Sequence, residues 1–248
     1  GEVMVVLVAA EPIFKLQKLF LKKLLELHPE ITTVVLNVND KFGPVVLGDQ
    51  EKVIYGKGYI EDVLCGLTFR ISAKSFYQVN PVQAEVLYKT AMRYAALTGK
   101  ERVLDAYCGI GTIGMIASRQ AGEVVGIELN RDAVRDAIAN AKRNGIQNCW
   151  FTQGDAGDFL HGMAKERVPL DVVFLDPPRD GSDRKFLSSL LAMRPKRIVY
   201  ISCGPESLAR DLQVLTDGGY TVKGVQPVDM FPHTEHVETV TLITRVKK

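Results

Sequence analysis

Hydrophobic and polar positions follow two regimes that meet near residue 72. In the first, residues 3–8 form a β-rich run, and over 11–27 the residues Ile13, Leu16, Leu19, Phe20 and Leu24 recur at helical spacing. Short β-type pieces follow at 33–38, 44–47, 53–55 and 67–71, separated by turn residues such as Asn39-Asp40 and Gly43-Pro44. This pattern predicts a small α+β region with hairpins over residues 1–72.

Beyond Asn80-Pro81 apolar strands alternate with helices. A helix is expected over 81–97, a strand at 102–104, a glycine-rich turn, and a helix running through Ala117. Strands are expected at 124–127, 149–152, 170–175, 197–202, 220–225 and 237–244, with helices between most of them, including 131–143. Short apolar strands in this alternation predict a mostly parallel sheet covered on both faces. The last two strands are joined by only residues 226–236, too short for a parallel crossover, so that pair is expected to be antiparallel. The layout predicts an α/β, Rossmann-like class I methyltransferase fold over 73–248, with a seven-stranded sheet whose last strand is antiparallel.

Composition narrows the class. The chain has 248 residues, 46% of them hydrophobic and 24% charged, enough to bury a sizeable core. Lys+Arg 31 against Asp+Glu 29 leaves a net charge of +2, which excludes a basic tail protein and offers no bulk electrostatic case for nucleic acid. The first 72 residues carry eight basic and nine acidic side chains, so they form no basic platform. No apolar run is long enough to span a bilayer. The four cysteines, Cys65, Cys108, Cys149 and Cys203, show no C-x-x-C spacing, so neither a metal site nor a disulfide framework is expected. A cytoplasmic enzyme, monomeric by default, is the resulting expectation. The opening Gly-Glu-Val-Met-Val-Val, without an initiator Met, reads as a fragment boundary.

The segment from Leu104 to Thr112, Leu-Asp-Ala-Tyr-Cys-Gly-Ile-Gly-Thr, lies at a strand-to-helix junction. It contains Gly109-x-Gly111-x-x-Gly114, a pattern shared with dinucleotide folds. Here Asp105 precedes the glycines and no basic residue lies in the loop to meet a pyrophosphate. A sulfonium cofactor has a positive centre and no phosphate, so the acidic turn suits S-adenosylmethionine better than NAD. Glu128 ends the next strand, 19 residues after Gly109, where a carboxylate can bind both ribose hydroxyls. Asp155, after the third strand, is placed to accept the adenine amino group. Each acidic residue taken singly also fits a plain N-cap or turn role.

Two later segments bear on the reaction. Asp176-Pro177-Pro178-Arg179 ends the fourth strand of this region, and Arg179 stands where amine methyltransferases carry an aromatic residue, which argues against attack by an exocyclic amine. Ser202-Cys203-Gly204-Pro205 ends the fifth; Gly204 reads as an N-cap and Pro205 as the first helical residue, so the helix dipole is expected to favour the Cys203 thiolate. The stretch 179–197 holds six basic residues against two acidic ones, fitting either phosphate contact beside the site or a solvated helix face.

Asp176-Pro-Pro-Arg179, Ser202-Cys203-Gly-Pro205 and the run from Phe231 to Glu238, Phe-Pro-His-Thr-Glu-His-Val-Glu, together resemble the motif set of the RNA 5-methyluridine (uracil-C5) methyltransferases, and more closely its 23S ribosomal RNA branch. Phe76-Tyr77-Gln78-Val79-Asn80 resembles the segment that enters that family's catalytic domain. The similarity covers roughly residues 70–245. It implies Cys203 as nucleophile and Glu238 as general base, with cofactor contacts from Gln78, Tyr107, Glu128, Asp155 and Asp176, to which the glycine turn adds Asp105 and Gly109. It also implies an RNA partner and the absence here of the family's N-terminal OB-like domain. Gly204 departs from the asparagine of many members. His233 and His236 are given no catalytic role. The rival expectations are a transfer RNA target, a cofactor- and RNA-binding module without turnover, and an amine methyltransferase.

Overall fold

The computed structural model describes residues 1–12, 15–41, 43 and 45–246. Two compact units emerge: Gly1–Val63 with Thr68–Phe76, and Leu64–Leu67 with Tyr77–Lys248.

In the first unit, β1 (Val3–Ala9), β2 (Ile31–Val38) and β3 (Gln50–Tyr55) form one sheet in that order. β1 and β2 pair in parallel across α1 (Gln17–Leu27), and β3 returns antiparallel. The helix expected between the first two strands makes their parallel crossover possible, because the stretch between them is long enough to carry it. The helix starts later than residue 11 because Leu16, just ahead of it, has a left-handed φ of 67°, and it buries none of its side chains. Ile13 lies outside the described residues. So does Pro44, and residues 45–47 form no strand. A strand unseen in the sequence, β4 (Tyr59–Leu64), carries Glu61-Asp62 in its middle, which masks its apolar pattern. It pairs with β5 (Leu67–Ser72) across Cys65 and Gly66, both at positive φ, the combination of a two-residue hairpin turn.

The second unit runs α2 (Pro81–Ala95), β6 (Arg102–Ala106), α3 (Thr112–Ser118), β7 (Glu123–Glu128), α4 (Arg131–Arg143), β8 (Cys149–Gln153) and α5 (Ala156–Lys165). Then come β9 (Val172–Leu175), α6 (Arg184–Met193), β10 (Arg197–Ser202), α7 (Pro205–Asp217), β11 (Tyr220–Val228) and β12 (Glu238–Arg245). The seven strands are ordered β11-β12-β10-β9-β6-β7-β8, with β6 to β10 parallel and β12 antiparallel to both its neighbours.

Strand periodicity divides the core. Leu104, Ala106, Val173, Leu175, Ile198 and Tyr200 join Leu160, Phe186, Leu190, Leu208 and Leu215 from α5, α6 and α7 in one buried cluster. Val103, Asp105, Val172, Phe174, Val199 and Ile201 alternate with them and face the opposite layer, where α2 and α3 pack. Strand order reverses at β6, with β7 and β8 on one side and β9 and β10 on the other. In open α/β sheets that reversal opens a crevice at the carboxyl ends of the strands. No helix among the described residues is long and apolar enough to cross a membrane.

Candidate active site

Six of the residues singled out in the sequence lie along this carboxyl edge. Tyr107 follows β6, Glu128 ends β7, Asp155 follows β8, Asp176 follows β9, Cys203 follows β10, and Glu238 opens the antiparallel β12. Strand C-termini bring them together although 131 positions of sequence separate the first from the last.

On the β6–β8 side, Asp105 is fully buried beneath the glycine turn. Its Oδ2 accepts the Gly114 N–H at 2.7 Å, while Oδ1 is a buried acceptor with no hydrogen-bond partner. Burial raises its carboxyl to about 7 against the pull of that N–H, with the Glu128 charge adding to the rise. Gly111 caps α3 at φ 84°, a conformation costly for any residue with a Cβ. Tyr107 also holds a left-handed φ of 63°, the kind of backbone strain that persists where surrounding structure fixes a site, and its ring packs on Phe186 at 5.5 Å. Glu128 accepts the Gly109 N–H at 3.0 Å and the Asn130 N–H at 2.7 Å, tying the glycine turn to the start of α4. Asp155 caps α5 by accepting from Asp158 N at 2.8 Å. Thus two of the acidic residues carry the capping and turn roles that each admits singly. A carboxylate has about four lone-pair sites, so these bonds leave capacity for ligand hydroxyl and amino donors. Gln78 is buried and hydrogen-bonds the Tyr88 hydroxyl, which lies in the field of Asp176 and Asp105. A lone buried acceptor, a set of carboxylates and no cation in the turn fit a cationic cofactor carrying ribose and amino donors.

On the other side, the antiparallel register between β10 and β12 runs from Arg197↔Thr244 to Ser202↔Thr239. The next residues along the two strands are Cys203 and Glu238, so continuing the register by one residue brings them opposite one another. Glu238 is only 5% exposed, and burial holds its carboxyl above the usual range. Val240 beside it is fully buried, whereas Val237 is exposed. Asp176, partly buried, is pushed up to about 8 by burial first, then by the charges of Glu238 and Asp105.

The helix N-terminus stands where the sequence places it, with Gly204 as N-cap and Pro205 in the first turn of α7. Other groups act on Cys203 in the opposite direction. Burial, followed by the charges of Glu238 and Asp176, raises the thiol, and the nearby Arg179 only partly offsets them. Burial and these charges thus oppose the helix N-terminus at the Cys203 sulfur. Asp176→Asn removes one of the two opposing charges, so the rate of Cys203 alkylation by iodoacetamide, followed on its own peptide, is expected to rise at lower pH than in the wild type. An unchanged profile would show that Asp176 does not act on the thiol.

The Cys203 turn is ordered by side-chain hydroxyls. Ser202 Oγ accepts the Gly204 N–H at 3.1 Å, and Ser207 Oγ contacts both the Arg179 carbonyl at 2.7 Å and the Gly204 carbonyl at 3.0 Å. A Cβ on residue 204 would stand 2.8 Å from the Arg179 carbonyl oxygen, so glycine permits the close seating of the Asp176-Pro-Pro-Arg179 loop. His233 and His236 occupy the exposed loop before β12, where Thr234 bonds the Phe231 carbonyl and His236 stacks edge-on against Phe231.

Sequence reading missed a clamp behind this loop. Asp211, fully buried on α7, accepts the Ser182 N–H at 2.8 Å and the Tyr200 hydroxyl at 2.7 Å through Oδ2. Its Oδ1 takes both Nε and Nη2 of Arg210, whose Nη2 also reaches the Asp180 carbonyl at 2.8 Å. The signal was present as a Tyr200 two residues before Ser202 and an Arg-Asp pair on the helix, but a helix-face charge pair reads as solvated. Asp211→Ala leaves the buried Tyr200 hydroxyl and Ser182 N–H unsatisfied and is expected to cost about 2–4 kcal/mol of stability. Tyr200→Phe removes one donor and should cost about 1 kcal/mol. Urea unfolding midpoints check both values, and equal losses would contradict the assigned bonding.

The topology and the carboxylates at the strand ends define a class I methyltransferase fold. Comparison with known proteins supplies the second step. A family model described as tRNA (uracil-5-)-methyltransferase matches residues 15–246, and the chain belongs to that family of uracil-5 RNA methyltransferases. An uncharacterized RNA methyltransferase of Enterococcus faecalis is 48% identical over 246 residues, 99% of this chain and 54% of the relative. The Pyrococcus abyssi tRNA (uracil-54, C5)-methyltransferase, solved with S-adenosyl-L-homocysteine, matches with a TM-score of 0.78 at 30% identity, over 98% of this chain and 56% of that one. The fold recurs in M. jannaschii TYW2, solved with AdoMet, at TM-score 0.55 and 18% identity over 79% of this chain and 91% of that one, a likeness of fold alone. The chain spans about half the length of the curated relatives it matches.

Proposed function

We propose that the chain is the catalytic portion of an S-adenosylmethionine-dependent methyltransferase acting on C5 of a uridine in RNA, with residues 73–248 as its methyltransferase domain. The observation that carries this reading is the β10–β12 register, which ends at Ser202↔Thr239 and leaves Cys203 and Glu238 as the next residues along the two strands at the carboxyl edge of the sheet. C5 of uracil is a weak carbon nucleophile in the resting ring. The Cys203 thiol first gives its proton to solvent, and addition of the resulting thiolate to C6 turns the ring into an enolate with carbanion character at C5. Asp105, Tyr107, Gly109, Glu128, Asp155, Gln78 and Asp176 would hold S-adenosylmethionine, whose sulfonium methyl would pass to C5 as the S–CH3 bond breaks and S-adenosylhomocysteine leaves. Glu238 then removes the C5 proton, the C5–C6 double bond re-forms, and the Cys203–C6 bond breaks to release the thiolate. Asp176 holds the cofactor or orients the ring. The target base has to leave its stack to reach such a pocket, which favours a uridine in a loop or single strand.

The motif similarity favours 23S ribosomal RNA as the substrate. The family description and the P. abyssi enzyme favour transfer RNA as the second reading. The test is methyl transfer from labelled S-adenosylmethionine to isolated RNA fractions, followed by nucleoside and fragment mass analysis. The proposal requires 5-methyluridine, and its presence in 23S or transfer RNA fragments separates the two substrates. A methylated exocyclic amine, or no transfer to any RNA, would overturn it.

A further inference from the structure

A net charge of +2 conceals a local concentration of cations at the edge of the sheet opposite the active site. The six basic residues of 179–197 do not form one patch: Arg179 sits by Cys203, while Arg194, Lys196 and Arg197 lie at the start of β10, at the other end of that strand. There Lys196 and Arg197 line a groove of about 570 Å³ with Thr221, Lys223, Thr244 and Arg245, and no acidic residue lines it. Lys196 is paired with Asp171 at 2.9 Å, and Arg197 approaches Glu101 at 3.8 Å. Lys223 and Arg245 make no ion pair among the described residues, although Arg245 Nη1 donates to the Arg194 carbonyl at 2.9 Å.

The backbone places these groups deliberately. β11 pairs with β12 from Tyr220↔Arg245 at one end to Val228↔Glu238 at the other, and the register slips between Val222 and Gly224. Lys223 is the extra residue at this bulge, a device that re-aims a side chain. β11 is also the edge strand of the sheet. One nine-residue strand, about 27 Å long, therefore has the basic groove at one end and the proposed general base at the other.

Resting on the reading of the chain as an RNA methyltransferase, we infer that the groove formed by Lys196, Arg197, Lys223 and Arg245 binds the phosphate backbone of the RNA strand flanking the target uridine, along the β11 edge. Several cations without acidic lining, two hydroxyl donors from Thr221 and Thr244, and a place on the same strand pair as the proposed general base are what an extended polyanion requires. The contact is to phosphate, so it adds affinity without reading sequence.

The test is the double variant Lys223→Gln/Arg245→Gln, both positions exposed, measured by fluorescence anisotropy on a uridine-containing single-stranded RNA of about 20 nucleotides from 0.05 to 0.4 M KCl. Two lost phosphate contacts should reduce the log–log salt slope by about 1.4. Over the decade from 0.1 M to 1 M, that corresponds to a roughly 25-fold weaker Kd at 0.1 M salt. Methyl transfer should show a raised KM with kcat unchanged, and Lys223→Arg with native Arg245 should restore the wild-type slope. An unchanged slope in a double variant that melts like the wild type overturns the inference and leaves the groove to a partner of another class. Wild-type protein that binds RNA through these residues but transfers no methyl group would instead refute the catalytic reading while the groove stands.

Discussion

Cys203→Ala is expected to lower methyl transfer by about 10⁴-fold or more, with S-adenosylmethionine affinity unchanged. The magnitude follows from the chemistry: without addition at C6 nothing gives C5 its carbanion character, so no slower parallel route is available to the same site. The preserved affinity follows from the fold, because the cofactor-facing groups hang mainly from β6, β7 and β8 while Cys203 hangs from β10. Cys203 is only partly buried, so its truncation leaves no core cavity and the variant should melt within about 0.5 kcal/mol of the wild type. Equilibrium binding of the cofactor beside single-turnover methylation checks both halves. Residual activity of the alanine variant above a few per cent would point to attack by an amine, which needs no thiol.

Glu238→Gln is expected to stop the reaction one step later. Thiol addition and methylation proceed, but loss of the C5 proton slows by about 10²–10⁴-fold, so a methylated RNA–protein adduct accumulates. The substitution also removes the larger of the two carboxylate charges that hold the Cys203 thiol up. The adduct should therefore form at lower pH than in the wild type while resolving more slowly. In the wild type both requirements run in one direction. On the proposed mechanism Glu238 works only when deprotonated, burial raises its carboxyl, and Cys203 works only as thiolate; turnover is therefore expected to fall as pH drops through the raised Glu238 titration and to be helped by rising pH at Cys203. Denaturing gels with labelled cofactor distinguish an arrested adduct from free product. Normal turnover by the glutamine variant would remove Glu238 from the role of base.

Much of this site is legible because parallel strands buried on both faces leave plain marks. Val172–Leu175 and Arg197–Ser202 are nearly continuous apolar runs, and each ends at a chemically distinctive residue. The region before residue 72 was less legible: α1 buries nothing, so its apolar spacing carries little constraint, and the acidic centre of β4 hides a strand. The apposition of Cys203 and Glu238 was readable as two motifs but not as a distance, because it depends on β12 inserting between β10 and β11. The carboxylates that act on Cys203 were illegible for a related reason. The helix dipole is local in sequence, whereas Glu238 and Asp176 reach the sulfur only through the sheet. The Tyr200–Asp211–Arg210 clamp and the basic groove share the same cause, being assembled from single polar residues on different elements whose neighbours in sequence say nothing of their partners.

The most direct test of the central claim is incubation of the wild-type chain with S-adenosylmethionine and RNA carrying 5-fluorouridine in place of uridine. Fluorine at C5 cannot leave as a proton, so the reaction should halt with the RNA covalently bound, and peptide mapping should place the bond on Cys203. Full methyl transfer to RNA with no adduct on Cys203, at concentrations where RNA and cofactor are both bound, would contradict the account.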